Sequence, residues 1–265
     1  MDATFINLGP FSVRTFTALI AATALIGLAA VTVAGYFYDR NRVTRRALLR
    51  WFDAGLGALI GGVIGARLLH VILTWDYFAD HLAEIPNLRA GGLSWHGALY
   101  GGLIGLALAA RWRDVPFHPL ADALALAWPV GVMAAWAGCR ASACGYGAEV
   151  WTLADFPAWA VSESPDVFGV VAPRYNVQVF GVGLGAILLA VALLIALFGW
   201  LRGYRLWLVL ALTGAGMFVL GFFRGEFAPS PLPNISRDQL LDLSVIALSV
   251  IAASGTRLYA RASDN

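Results

Sequence analysis

Long apolar stretches, separated by short polar or arginine-rich segments, dominate the hydrophobic pattern of the chain. Each stretch approaches the length of about 20 residues that a helix needs to cross the hydrocarbon core of a bilayer. Nothing alternates with the period of two expected of a transmembrane β-strand. The pattern predicts an all-α, polytopic helical membrane protein, a single domain over residues 1–265 with seven spans at Thr15–Tyr38, Trp51–Trp75, Leu93–Ala110, Pro119–Cys139, Gln178–Leu201, Leu206–Phe223 and Leu240–Tyr259.

The loops between these spans differ in charge. One set carries eleven arginines, at positions 40, 42, 45, 46, 50, 111, 113, 202, 205, 257 and 261. The opposite set is richer in acids and contains two amphiphilic segments, Asp76–Ala90 and Arg140–Asn176. Because arginine-rich loops stay in the cytoplasm, we expect an external N-terminus and a cytoplasmic C-terminus. The first span lacks a basic start and is expected to be an uncleaved span.

Composition narrows the protein class. Of the 265 residues, 60% are hydrophobic and only 13% are charged, with a mean hydropathy of +0.73, which excludes an ordinary water-soluble globule. The net charge of +2 gives no indication of nucleic-acid binding. All 18 basic residues are arginine, so a mechanism through a lysine Schiff base is excluded.

Glycines recur every fourth residue in two predicted spans. The second span contains Gly57, Gly61 and Gly65, and the third contains glycines at positions 97, 101 and 105. This spacing clears one face of each helix and favours close packing of two helices in lipid. A groove that holds a lipid chain is the alternative interpretation.

Four ionisable side chains stand out inside the predicted spans: Arg67, His70, His96 and Asp122. Each is costly to bury in a membrane and is therefore a candidate functional residue. Arg67 needs an anionic partner, and either Asp122 or a lipid phosphate could supply it.

The segment around His96 is the most specific motif in the chain. It reads Gly-Gly-Leu-Ser-Trp-His-Gly-Ala from Gly91 to Ala98. A histidine framed in this way is expected near the start of a helix, with its ring directed into space cleared by glycines. The alternative is an ordinary hydrogen-bonded packing histidine.

This segment resembles the Gly-Gly-Met-Ser-Phe-His-Gly-Gly signature of the bacterial prolipoprotein diacylglyceryl transferases, seven-span proteins of the inner membrane. Further matches follow in the family's order along most of the chain. They are Gly9-Pro10, Gly65-Ala66-Arg67, Asp122 with Pro129 and Gly131, and Phe222-Phe223-Arg224.

The resemblance implies transfer of diacylglyceryl from phosphatidylglycerol to the thiol of a lipobox cysteine in a prolipoprotein signal peptide, with release of glycerol phosphate. His96 is implied as a proton-handling catalytic residue. Arg140 lies four residues beyond the position of the family's fourth-helix arginine and could partly replace it as a catalytic cation. Arg67, Arg224, Ser94 and Asp122 are the implied lipid- and phosphate-binding residues. No cofactor, metal or nucleic acid is implied.

The chain departs from the family at several positions. The family's fourth-helix arginine and asparagine become Trp136 and Cys139, and its first-helix tyrosine becomes Phe16. In the sixth helix, its tyrosine, arginine and glutamate become Thr213, Met217 and Gly221. Loss of such electrostatic contacts commonly costs about 100-fold in rate. The alternative function is therefore a catalytically degenerate relative, a lipid-binding or structural subunit that works with other membrane subunits.

The two cysteines, Cys139 and Cys144, have three possible roles. They could form an external disulfide, bind a soft metal together with His96, or serve as small packing residues. Packing is the interpretation that we prefer, and metal binding ranks last because only two thiolates are present.

Overall fold

The computed structural model describes residues 5–8, 11–39, 45–88, 91–226, 230 and 232–263. Gly9-Pro10, Arg40 and Arg42 lie outside these ranges. Eight α-helices are present in the described part of the chain, which confirms the mostly helical prediction. They are α1 (Thr15–Tyr38), α2 (Arg45–Leu73), α3 (Trp75–Phe78), α4 (Trp95–Trp112), α5 (Phe117–Ser142), α6 (Val177–Leu197), α7 (Arg205–Gly221) and α8 (Arg237–Ser263).

Five helices in the described residues are long and apolar enough to cross a membrane. They are α1, α2, α5, α6 and the Arg237–Gly255 part of α8. Helix α7 is apolar but shorter, and α4 is made more polar by His96 and Arg111. The count of seven spans and the orientation of the termini stay predictions.

Four short strands correct the expectation of a purely helical fold. Strands β1 (Phe5–Leu8) and β2 (Phe11–Arg14) form one antiparallel hairpin ahead of α1. Strands β3 (Val161–Pro165) and β4 (Val171–Tyr175) form another within the predicted external segment 140–176. These strands are too short for their alternation to stand out from the long apolar runs.

Contacts divide the described chain into two compact units, and the division falls inside α1 and α5. The first unit comprises Gly27–Leu124, and the second comprises Met1–Ile26 with Ala125–Asn265. The core of the first unit lies around Trp51, Leu106 and Leu120, all buried. The core of the second lies around Trp136 and Val177, with aromatic side chains packed against them.

Helices α2 and α4 pack at backbone distance in the first unit. A Cβ atom added at Gly101 would lie 2.8 Å from Gly65 Cα, and closer still to the carbonyl oxygen of Gly61. The partner glycines along both helices are equally crowded by the facing backbone. The predicted glycine packing is confirmed, and the facing helix occupies the space that a lipid groove would need.

Candidate functional site

A tight corner of the first unit positions His96. Gly91 and Gly92 have φ angles of +82° and +69°, a left-handed conformation that glycine adopts without the steric cost of a Cβ atom. The Ser94 hydroxyl then accepts a hydrogen bond from the amide of Gly97 at 3.4 Å, which caps α4. The helix therefore begins at Trp95, and His96 lies in its first turn.

The His96 side chain is 1% exposed, and its ring lies 3.9 Å from that of Trp95, centroid to centroid. The next residue, Gly97, faces helix α2. A Cβ atom there would lie 2.7 Å from Leu69 Cβ and closer to the carbonyl oxygen of Gly65. Helix α2 therefore packs directly against α4 at this glycine, because the absence of a side chain allows the two backbones to approach each other.

Arg67 forms hydrogen bonds with the main chain ahead of His96. Its Nε donates to the carbonyl oxygen of Ile85 at 2.7 Å, and Nη2 donates to that of Glu84 at 2.7 Å. Nη1 donates to the carbonyl oxygens of Gly91 at 2.8 Å and Gly92 at 3.1 Å. These four bonds occupy four of the five N–H donors of the guanidinium.

Arg67 is therefore a residue that ties the loop after α3 to helix α2. The side chain is buried, and its guanidinium carbon lies 5.1 Å from the centroid of the Phe78 ring. The sequence suggested a carboxylate or phosphate partner, whereas the acceptors that hold this arginine are main-chain carbonyl groups. Such partners cannot be identified from the sequence, since every residue carries a carbonyl group.

The remaining candidates occupy other surroundings. Asp122 is partly buried on α5 within the first unit. Arg140 is exposed in the last turn of α5, in the second unit. It borders a polar cavity of about 180 Å³ whose other lining residues are Ala143, Ser162, Glu163, Ser164, Pro165 and Gln178.

Arg224 is held between two carboxylates of the second unit. Nη2 donates to Glu226 at 2.7 Å, and Nη1 donates to Asp238 at 3.2 Å. Glu226 also accepts a hydrogen bond from the amide of Gly145 at 3.0 Å. A phosphate at this arginine would have to compete with both carboxylates.

Arg174, on β4, is not among the candidates that the sequence suggested. Its residue is 3% exposed, and Nη2 contacts Glu149 at 2.8 Å and Asp166 at 3.4 Å. Its guanidinium carbon also lies 5.1 Å from the centroid of the Tyr146 ring. Two acids and one arginine within one predicted external segment were the available signal. These contacts tie the β3–β4 hairpin to the segment that follows α5.

Cys139 and Cys144 form a disulfide, so the preferred packing interpretation is wrong. Helix α5 carries Cys139, and the chain leaves the helix after Ser142, which brings the two cysteines together. The bond consumes both thiols and excludes the soft-metal alternative. Among the described residues, no group of three or more His, Cys, Asp or Glu side chains could hold a metal ion.

An apolar cluster surrounds Trp136. The tryptophan is 8% exposed and packs with Val132, Val177 and Leu220, and Met217 lies against this cluster. A Cβ atom added at Gly181 would collide with the Trp136 ring, so this glycine makes room for it. The two positions where the resemblance places arginines therefore lie in one hydrophobic core.

Comparison with known proteins decides the family. The model of the prolipoprotein diacylglyceryl transferase family matches residues 3–254. The chain belongs to this family. Membership, together with the apolar helices, makes it a protein of the bacterial inner membrane.

Curated relatives named phosphatidylglycerol–prolipoprotein diacylglyceryl transferase match part of the chain. The protein of Shouchella clausii is 33% identical over 152 residues, which cover 57% of this chain and 52% of the relative. That of Geobacillus kaustophilus is 34% identical over 124 residues, covering 46% and 43%. That of Trichormus variabilis is 32% identical over 120 residues, covering 45% and 40%. The chain spans about half the length of the curated relatives it matches.

Proposed function

We propose that this protein transfers diacylglyceryl from phosphatidylglycerol to the cysteine thiol of a prolipoprotein signal peptide. The thiol sulfur forms a bond to the glycerol carbon, the bond between that carbon and the phosphate oxygen breaks, and glycerol phosphate leaves. The corner at His96 supports this function, because the signature segment is folded around a buried histidine that Arg67 and the Gly91-Gly92 turn hold in place.

His96 takes the thiol proton as the thiolate forms. Arg140 supplies positive charge to the departing phosphate, since it is exposed beside a polar cavity. Arg67 is a positioning residue, because its donors already hold the loop that precedes His96. Ser94 contributes by capping α4, and roles for Asp122 and Arg224 at the lipid stay predictions.

A transfer assay tests this function directly. Membranes that contain the full chain are supplied with acyl-labelled phosphatidylglycerol and a lipobox peptide, and the label bound to the peptide is measured. We expect transfer with the unaltered chain and a loss of about 100-fold or more with His96→Ala, the range for a lost general acid or base. His118→Ala is the matched control, since His118 is exposed on α5, and it should retain activity.

The same assay tests the role of Arg140. Arg140→Gln should reduce the transfer rate by about 100-fold, as expected when one charge-stabilising contact is removed. Transfer that is unchanged by both His96→Ala and Arg140→Gln, at equal membrane levels, would overturn this assignment of roles.

A second candidate function is a non-catalytic, lipid-binding or structural subunit. This candidate rests on Trp136 and Met217, which stand where the family resemblance places arginines and pack in an apolar cluster. Such a subunit would show no label transfer to any lipobox peptide, would not rescue a transferase-depleted bacterium, and would co-purify with defined membrane proteins. Rescue by the unaltered chain that is lost with His96→Ala would rule this candidate out.

A further inference from the structure

Another cavity, lined mainly by arginines, lies at the opposite end of the α2–α4 pair from His96. Its volume is about 340 Å³, and it is lined by Arg46, Leu49, Arg50 and Arg113. The first three residues lie near the start of α2, and Arg113 follows the end of α4. From Arg50 to Arg67 the helix rises about 25 Å, most of the thickness of a hydrocarbon core.

The cavity carries an excess of positive charge. Arg50 pairs with Asp39 at 3.8 Å, and Arg113 pairs with Asp53, so two carboxylates face three guanidinium groups. The first turn of α2 holds no acidic residue that would offset the positive end of its dipole. An anion that enters this cavity therefore meets net positive charge.

Arg113 also has an unused donor. Its Nε atom is buried and has no hydrogen-bond partner within the described ranges, although Nη2 is paired with Asp53. A buried donor without a partner is costly, so Arg113 lines the cavity with part of its hydrogen-bonding capacity unused. Phosphate suits the site because its oxygens accept several guanidinium N–H groups at once.

One apolar side chain lines the basic cavity, and another lies beside Arg113. Leu49 is 44% exposed and lines it directly. Trp112 is 77% exposed, and the Arg113 guanidinium carbon lies 5.2 Å from the centroid of its ring. Tryptophan and arginine together are typical of the level where lipid headgroups meet the hydrocarbon core.

We propose that this cavity binds the phosphate of an anionic phospholipid headgroup, with Arg46, Arg50 and Arg113 as donors. Leu49 and Trp112 contact the glycerol and the first acyl carbons. The bound lipid bridges the start of α2 and the end of α4, at the far end of the pair from the His96 corner. The site is independent of diacylglyceryl transfer.

Two adjacent arginines provide a matched test. Arg45 and Arg46 are both exposed at the start of α2, and only Arg46 lines the cavity. The full chain in detergent is titrated with dioleoyl phosphatidic acid, and the bound lipid is counted by native mass spectrometry. We expect Arg46→Gln to weaken binding about tenfold, as for the loss of one charge-assisted hydrogen bond, and Arg45→Gln to change it less than about twofold.

Two double variants with the same net charge should differ in lipid binding more strongly than the single variants do. Arg46→Gln with Arg50→Gln should abolish the tighter binding class, whereas Arg45→Gln with Arg111→Gln should keep it. Thermal unfolding of each variant verifies that the fold is retained. Equal losses in the matched variants would overturn the proposal, because they would indicate general surface attraction.

Two further binding measurements distinguish a lipid headgroup from other ligands. Dioleoyl phosphatidylcholine, with the same acyl chains and no net charge, should bind more weakly and should not respond to Arg46→Gln. Inorganic phosphate at the same concentrations should not displace phosphatidic acid. Displacement by inorganic phosphate would overturn the lipid assignment and identify a site for free phosphate.

Discussion

The packing of α2 against α4 makes a quantitative prediction about two adjacent glycines. An alanine at position 101 would place its Cβ atom 2.8 Å from Gly65 Cα and closer to the Gly61 carbonyl oxygen. An alanine at position 102 would meet the Ala58 carbonyl oxygen at 3.4 Å and Gly62 Cα at 3.9 Å, which are ordinary contacts. The two positions share one helix and the same chemical change.

Replacing glycine by alanine in a helix interior stabilises the helix by up to about 1 kcal/mol, and both variants gain this contribution. Overpacking a close contact costs about 1–3 kcal/mol, and only Gly101→Ala incurs it, because α4 must move away from α2. We therefore expect Gly102→Ala to be neutral or stabilising. Gly101→Ala should be less stable than Gly102→Ala by about 2 kcal/mol, the middle of that overpacking range.

The assay is reversible unfolding of the full chain by SDS in mixed micelles, followed by tryptophan fluorescence. Gly183→Ala is a second control, since nothing lies within 4 Å of a Cβ atom added there. Equal unfolding free energies for Gly101→Ala and Gly102→Ala would refute the close backbone contact between α2 and α4.

Three further predictions concern the rest of the chain. Gly92→Ala should lower the unfolding free energy more than Gly91→Ala in the same assay. Both glycines have a positive φ, but only a Cβ atom at position 92 would contact another side chain, at 2.5 Å from His70 Nε2. Trp136→Ala should cost about 3–5 kcal/mol as a cavity mutation, with the fully exposed Trp151→Ala within about 0.5 kcal/mol of the unaltered chain, and a small loss at Trp136 would contradict the buried cluster. Cys139→Ser should lower stability by about 2 kcal/mol through loss of the short disulfide loop, and maleimide should label the unaltered chain only after reduction, so labelling without reductant would contradict the bond.

The hydrophobic pattern of the chain was enough to predict the class of the protein and most of its helices. The observed α1 has the predicted bounds of Thr15–Tyr38, because a run of apolar residues is a local property that length and hydropathy measure directly. The recurrence of glycine at every fourth residue correctly indicated close packing of two helices. The signature around His96 identified the family, which the match over residues 3–254 confirmed.

Some helix limits needed the structure. Helix α2 begins at Arg45 instead of the predicted Trp51, and α5 continues to Ser142 beyond the predicted Cys139. Arginine is a good helix former and its long side chain can reach water, so a charged residue at a helix end does not mark where the helix stops.

The partners of the charged groups could be identified only in the folded chain. Arg67 binds carbonyl groups at residues 84, 85, 91 and 92, and Arg224 binds Glu226 and Asp238. Arg174, unremarkable in the sequence, is the buried centre of an ion-pair cluster. The physical reason is that a charge removed from water needs compensating polar atoms nearby. Folding brings those atoms together from distant parts of the chain, so residue type and local spacing do not reveal which atoms they are.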